Sequence, residues 1–168
     1  MATFAEVYSG TRINKLLERE VIISENVFAN SREYIKIVCG RLNSKFYNDE
    51  RIVEAFKKAH NNGATIEIIC GPEVDPNTKA VTQMCKNNIV EVWQSERWPK
   101  SHFWIVDGKD VRLEDPHTIE FQKNTHASIL SDAKPIAEDL LKRFENLKRE
   151  ANKTYILNSK PLANIVSK

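Results

Sequence analysis

The sequence is poor in the features that mark several large classes of protein. Cysteine is scarce: Cys39, Cys70 and Cys85 are an odd set among 168 residues, with no C-x-x-C spacing, which argues against a disulfide framework. Cys39 and Cys70 each close an apolar run, Ile35–Cys39 and Ile66–Cys70. Both read as buried small hydrophobes of a reducing compartment. Neither has an obvious base beside it in sequence, as a catalytic thiol requires. An excess of one charge is missing too. The 25 Lys+Arg stand against 23 Asp+Glu, and a net of +2 is too small to announce a polyanion partner by itself. Apolar runs fall far short of the ~18 residues a membrane span needs. The N-terminus, Met-Ala-Thr-Phe-Ala-Glu, lacks the basic start and apolar stretch of a signal peptide. A cytoplasmic protein with no membrane association is therefore expected. No internal repeat and no low-complexity stretch interrupts the chain.

What is present is a regular alternation of helix and strand patterns. With 41% hydrophobic residues the chain can build one compact core. From Thr11 to Asn30, Ile13, Leu16, Leu17, Val21, Ile22 and Val27 recur at mostly three- and four-residue spacing, an amphipathic helix. Tyr34–Cys39 is short, β-branched and closed by Gly40, a strand. Asp49 is placed to cap a helix whose stripe is Ile52, Val53, Phe56 and Ala59 and which Asn61-Asn62-Gly63 stops. Thr65–Cys70 is the next strand, Pro76–Lys86 a helix, and Ile89–Trp93 a third strand. This order predicts an α/β fold with a mixed, largely parallel sheet sandwiched by helices. Ser101–Val106 and Asp110–Leu113 then form a hairpin around Asp107-Gly108, followed by a strand at Ala127–Leu130 and a long helix over Asp132–Ala151. Residues 1–153 make one domain, and 154–168 a C-terminal tail or docking arm.

Of the four histidines, His60 sits at a helix end and reads as a capping residue, and His126 precedes a strand and reads as packing. His102 and His117 flank the hairpin. Alternation puts Lys100, His102, Trp104 and Val106 on one face. A three-residue connection, Asp107 to Lys109, pairs Val106 with Asp110 and sets His102 directly across from Glu114; a slip of one residue would undo that pairing. In this register the carboxylate fixes the imidazole tautomer. Two imidazoles and a carboxylate at the end of a sheet can do acid–base or nucleophilic work on a phosphate. They can equally be polar residues that cap a sheet edge.

At these residues the chain resembles the phospholipase D superfamily, in its branch of small single-domain proteins that includes bacterial endonucleases. The family motif is H-x-K, four residues, then Asp, followed by Gly-Ser and Asn, on a hairpin after an α/β unit. Here Ser-His102-Phe-Trp-Ile-Val-Asp107-Gly stands in that place, between the strand to Trp93 and the final long helix. The resemblance covers roughly residues 8 to 150. The motif is degenerate. With His102 on the family histidine, the lysine position is Trp104 and Asp107 comes two residues early. Aligned without gaps on Asp107, Lys100 takes the histidine position and His102 the lysine position, Glu114-Asp115 replaces Gly-Ser, and His117 replaces Asn.

In the family a histidine attacks phosphorus, a second copy's histidine protonates the leaving oxygen, and no metal is needed. Single-domain members supply the second motif by dimerising. The resemblance therefore implies a homodimeric phosphodiesterase acting on nucleic acid or another phosphodiester, with no cofactor. His102 would be nucleophile or phosphate ligand, Glu114 its orienting carboxylate and His117 an acid or phosphate donor. Lys100 would lend charge, with Asp107 and Arg112 beside it. Trp98 and Trp104 would line a substrate groove on which bases stack. Lys100, Arg97, Lys109 and Arg112 are read together as a local positive cluster. A catalytically inactive module that binds phosphate, nucleic acid or a protein partner is the alternative. A metal reading would use His102, Glu114, Asp115 and His117 as nitrogen and oxygen ligands.

Overall fold

A computed structural model describes residues 5–9, 13–114 and 126–153. In chain order the elements are β1 (Ala5–Ser9), α1 (Ile13–Ala29), β2 (Tyr34–Cys39), α2 (Ser44–Tyr47), α3 (Glu50–Asn61), β3 (Thr65–Cys70), α4 (Lys79–Lys86), β4 (Glu91–Gln94), β5 (His102–Val106), β6 (Asp110–Glu114), β7 (His126–Leu130), α5 (Lys134–Glu150) and β8 (Asn152–Lys153). The strands form one eight-stranded sheet in the order β1-β7-β6-β5-β2-β3-β4-β8. It is mixed, as expected. Parallel pairing is confined to β2-β3 and β3-β4, and antiparallel pairs flank it on both sides.

Local chemistry sets the element ends. The Asp49 carboxylate accepts from Arg51 N at 3.0 Å and starts α3. Gly63, at φ +98°, ends it in a conformation that side chains resist. The helix expected from Pro76 begins three residues later. Asp75 accepts from Asn77 N at 2.9 Å and holds Pro76–Thr78 in a turn. The third strand also begins late, because Asn88 is left-handed at φ 55° and Ile89 N closes α4 onto Met84 O.

Alternation splits the sheet's two faces. Ile35 and Ile37 of β2, Trp104 and Val106 of β5 and Ile129 of β7 meet Val21 and Phe28 of α1 and Ile52 and Phe56 of α3. Phe28 stacks on Phe56 at 5.2 Å and meets Trp104 edge-on at 5.5 Å. On the opposite face Val38, Ile69, Phe103, Ile105 and Val111 bury Ala137, Leu140 and Phe144 of α5. That face also carries charge. Glu67 of β3 binds Lys36 of β2 and Lys148 of α5, and Lys36 binds Glu145 at 2.9 Å. Burial pushes the Glu67 carboxyl up, but hydrogen bonds from Lys148 and Lys36 outweigh it and hold the group below the usual range.

Cys70 is buried, as its apolar run predicts, whereas Cys39 and Cys85 are half-buried. Burial pushes the Cys70 thiol up to about 12 and the Cys85 thiol up to about 11. Burial likewise raises Cys39, with the neighbouring Cys70 adding to it. Thiolate is the reactive form, so at pH 8 all three should react with a disulfide reagent at least ~100-fold more slowly in the native protein than in guanidinium. A cysteine that titrates at the unfolded rate is not a buried hydrophobe.

Candidate functional site

The hairpin builds the site. β5 and β6 pair with Val106 opposite Asp110 and His102 opposite Glu114, the register that the turn length sets. β5 runs antiparallel to β2, with Val38 opposite Phe103. His102 therefore stands at the carboxyl ends of β2 and β3, where ligands gather in open α/β sheets. Its Nδ1 lies 3.8 Å from Glu114 Oε2, and both side chains are mostly buried. Beneath this pair is a second layer of charge. Arg112 is 6% exposed. It donates to Glu114 Oε2 at 2.9 Å and ion-pairs with Glu20 of α1 at 3.4 Å. Burial pushes the Glu20 carboxyl above the usual range; Arg112 opposes this and Glu114 adds to it.

Two glycines form the floor. β2 and β3 are in register to Cys39 and Cys70, so Gly40 and Gly71 follow side by side, and Gly71 N donates to Gly40 O at 2.9 Å. A Cβ on Gly40 would lie 2.9 Å from His102 Nε2, and one on Gly71 would lie 2.7 Å from Gly40 O and 2.9 Å from Trp98 Cε3. Absent side chains let the imidazole and indole sit directly on the backbone. Arg41 stands with its guanidinium 5.6 Å from the Trp98 ring centre and is ion-paired with Glu73.

The expected site residues thus divide. His102, Glu114 and Trp98 come together, and Lys100 is exposed two residues before His102. Arg112 reaches the site from below, held between two carboxylates rather than facing solvent. Trp104 was expected in the groove; it is 3% exposed and belongs to the core against Phe28. Asp107 was expected at the substrate and lies at the opposite end of β5. Its carboxylate accepts from Ser31 Oγ at 2.8 Å and from the N–H groups of Arg32, Glu33 and Tyr34, each at 3.0 Å. Burial tends to raise this group, but those bonds hold it below the usual carboxylate range. Lys109 follows the same turn, so the positive cluster read from Lys100, Arg97, Lys109 and Arg112 does not assemble.

His117 and Asp115 lie outside the described residues, and with them half of the metal reading. Among the described residues no three His, Cys, Asp or Glu side chains gather to hold a metal. Residues 154–168 also lie outside. Sequence reasoning missed Glu20, Arg41 and the two-glycine floor. The repeated Cys-Gly at the ends of two expected parallel strands is the signal that would have found the floor.

No family model and no curated protein matches the chain. Among solved structures it is similar to Nuc, a phospholipase D family member from Salmonella typhimurium, with a TM-score of 0.64 and 12% identity over 90% of this chain and 99% of that one. NucT from Helicobacter pylori gives a TM-score of 0.66 and 14% identity over 90% of this chain and 99% of that one. TrmBL2, an archaeal chromatin protein with a novel mode of DNA binding, gives 0.64 and 12% over 89% of this chain and 54% of that one. Across nearly its whole length, the chain has the fold of the phospholipase D family.

Proposed function

We propose that this domain is a phospholipase D-like phosphodiesterase that acts on nucleic acid as a homodimer, with His102 as nucleophile. The carrying observation is the cross-strand pair of His102 and Glu114 at the carboxyl ends of β2 and β3. With Nδ1 turned to the carboxylate, Nε2 attacks phosphorus. An N–P bond forms as the P–O bond to the leaving group breaks. The leaving oxygen takes a proton from the partner copy's imidazole, and water then releases the phosphate from His102. Lys100 and His117 are assigned to the phosphate oxygens and the proton. The likeness to a DNA-binding chromatin protein supports nucleic acid as the class of polymer. No described helix is long and apolar enough to cross a membrane.

One observation favours binding without turnover. With His102 on the family histidine, the lysine position holds the buried Trp104, and Arg112 is ion-paired with Glu114 and Glu20. Labelled single- and double-stranded DNA and RNA, incubated with EDTA and then with added divalent ions, separate the readings. Cleavage that persists in EDTA and is lost in His102→Ala is the expected result. Cleavage that needs added ions, or survives the substitution, overturns the histidine route. Salt-sensitive binding with no cleavage establishes the binding module. A single-subunit mass by sedimentation at assay concentration overturns the shared site.

A further inference from the structure

We infer that Trp98 is a stacking platform for one unpaired base beside the phosphate held at His102, so that the site selects single-stranded nucleic acid. The inference rests on the phosphodiester reading above and names its substrate class. Among the described residues the exposed large hydrophobics are Ile22, Ile136 and Trp98. Ile22 and Ile136 lie on α1 and α5, whereas Trp98 packs on the glycine floor beside His102.

Trp98 is 36% exposed, yet the ring is seated. Its Cε3 and Cζ3 would lie 2.9 and 3.3 Å from a Cβ on Gly71. Cζ3 would also lie 3.5 Å from a Cβ on Gly40, the same point that His102 Nε2 approaches to 2.9 Å. Imidazole and indole therefore border one spot on the backbone, as near as a phosphate and the base of the same nucleotide. The Arg41 guanidinium, itself ion-paired with Glu73, lies over the ring at 5.6 Å from its centre and helps to hold the indole in place. A ring held at one edge by backbone has little rotamer freedom to lose when a base lies on it. Every base has a π-face, so such a platform tolerates sequence. A base inside a duplex already stacks on two neighbours and cannot reach it without unpairing.

The test compares three phosphorothioate-backed ligands: a single-stranded thymidine oligonucleotide, an abasic oligonucleotide of equal length, and a duplex. Binding is titrated at fixed salt for the full chain and for Trp98→Ala, Trp98→Phe and His102→Ala, with folding checked by thermal melts. The full chain should prefer the base-bearing strand to the abasic one. Trp98→Ala should shrink that preference about tenfold, and Trp98→Phe should restore most of it. His102→Ala should weaken base-bearing and abasic strands together. If Trp98→Ala weakens both strands equally, or Trp98→Phe fails to rescue, the indole is only structural and the inference falls while the phosphate site stands. If His102→Ala changes neither strand, or no strand binds, the phosphodiester reading falls and takes the platform with it.

Discussion

Asp107→Ala should lower the melting temperature by about 10–15 °C. One carboxylate accepts from the Ser31 hydroxyl and from three successive backbone N–H groups, Arg32 to Tyr34. These bonds fasten the end of α1 and the start of β2 to the β5–β6 turn. Hydrogen bonds to a charged acceptor contribute about 1.5–3 kcal/mol each, less where water reaches them, as at Arg32 and Glu33. A loss of about 4 kcal/mol follows, against the ~5–15 kcal/mol that holds an ordinary domain together. The backbone adds to it: Asp107 sits at φ 49°, a region Asp and Asn tolerate and Ala resists. Asp107→Asn keeps that tolerance and one acceptor oxygen and should cost roughly half as much. The folded pKa is depressed, so this stabilisation is complete above the ordinary carboxylate range and fades as pH falls through and below it. Melts from pH 7 to pH 3 should show the wild type converging on Asp107→Ala. A constant gap would show that the carboxylate's charge is not what the turn uses.

That role was only half legible in the sequence. Asp-Gly announced a hairpin and the length of its connection fixed the register, which is why His102 opposite Glu114 could be read from spacing alone. The destination of the Asp107 carboxylate could not, because its donors belong to a loop far away in the chain. Elements with one strong period, such as α3 and β2, were legible for the same local reason. Strand β1 pairs with β7 at the far end of the sequence, and β8 is two residues long. Neither has enough local pattern to announce itself. At the site, alternation put Lys100, His102, Trp104 and Val106 on one face with Glu114 across from His102, but it could not say that α1 covers that face. The helix buries Trp104 against Phe28 and brings Glu20 to Arg112. Residues expected to meet substrate became the underside of the site once that helix was in place.

Arg112→Leu tests this underside directly. The guanidinium is nearly buried and neutralises two carboxylates, Glu114 at 2.9 Å and Glu20 at 3.4 Å. Taking away one member of a buried charge network leaves the remaining carboxylates desolvated and short of positive charge, at a cost of about 3–5 kcal/mol. The doubly substituted Glu20→Leu/Arg112→Leu protein should be more stable than Arg112→Leu alone, since it no longer buries the carboxylate that burial already raises. The pH dependence should oppose that of Asp107. With Arg112 gone, the Glu20 carboxyl loses the charge that opposes its burial while Glu114 still adds to the rise, so Glu20 holds its proton more tightly folded than unfolded. A raised folded pKa gives stability that is present below the unfolded value of about 4.3 and is lost as pH rises through the folded one. Urea melts of Arg112→Leu should therefore show a deficit against wild type that is large at pH 8 and shrinks toward pH 5. An equal deficit at both would mean that the arginine serves by packing its stem. If the deficit tracks pH as expected, the Glu20 carboxylate that α1 brings beneath the site owes its ionised state to Arg112, which also holds Glu114 two positions further along β6.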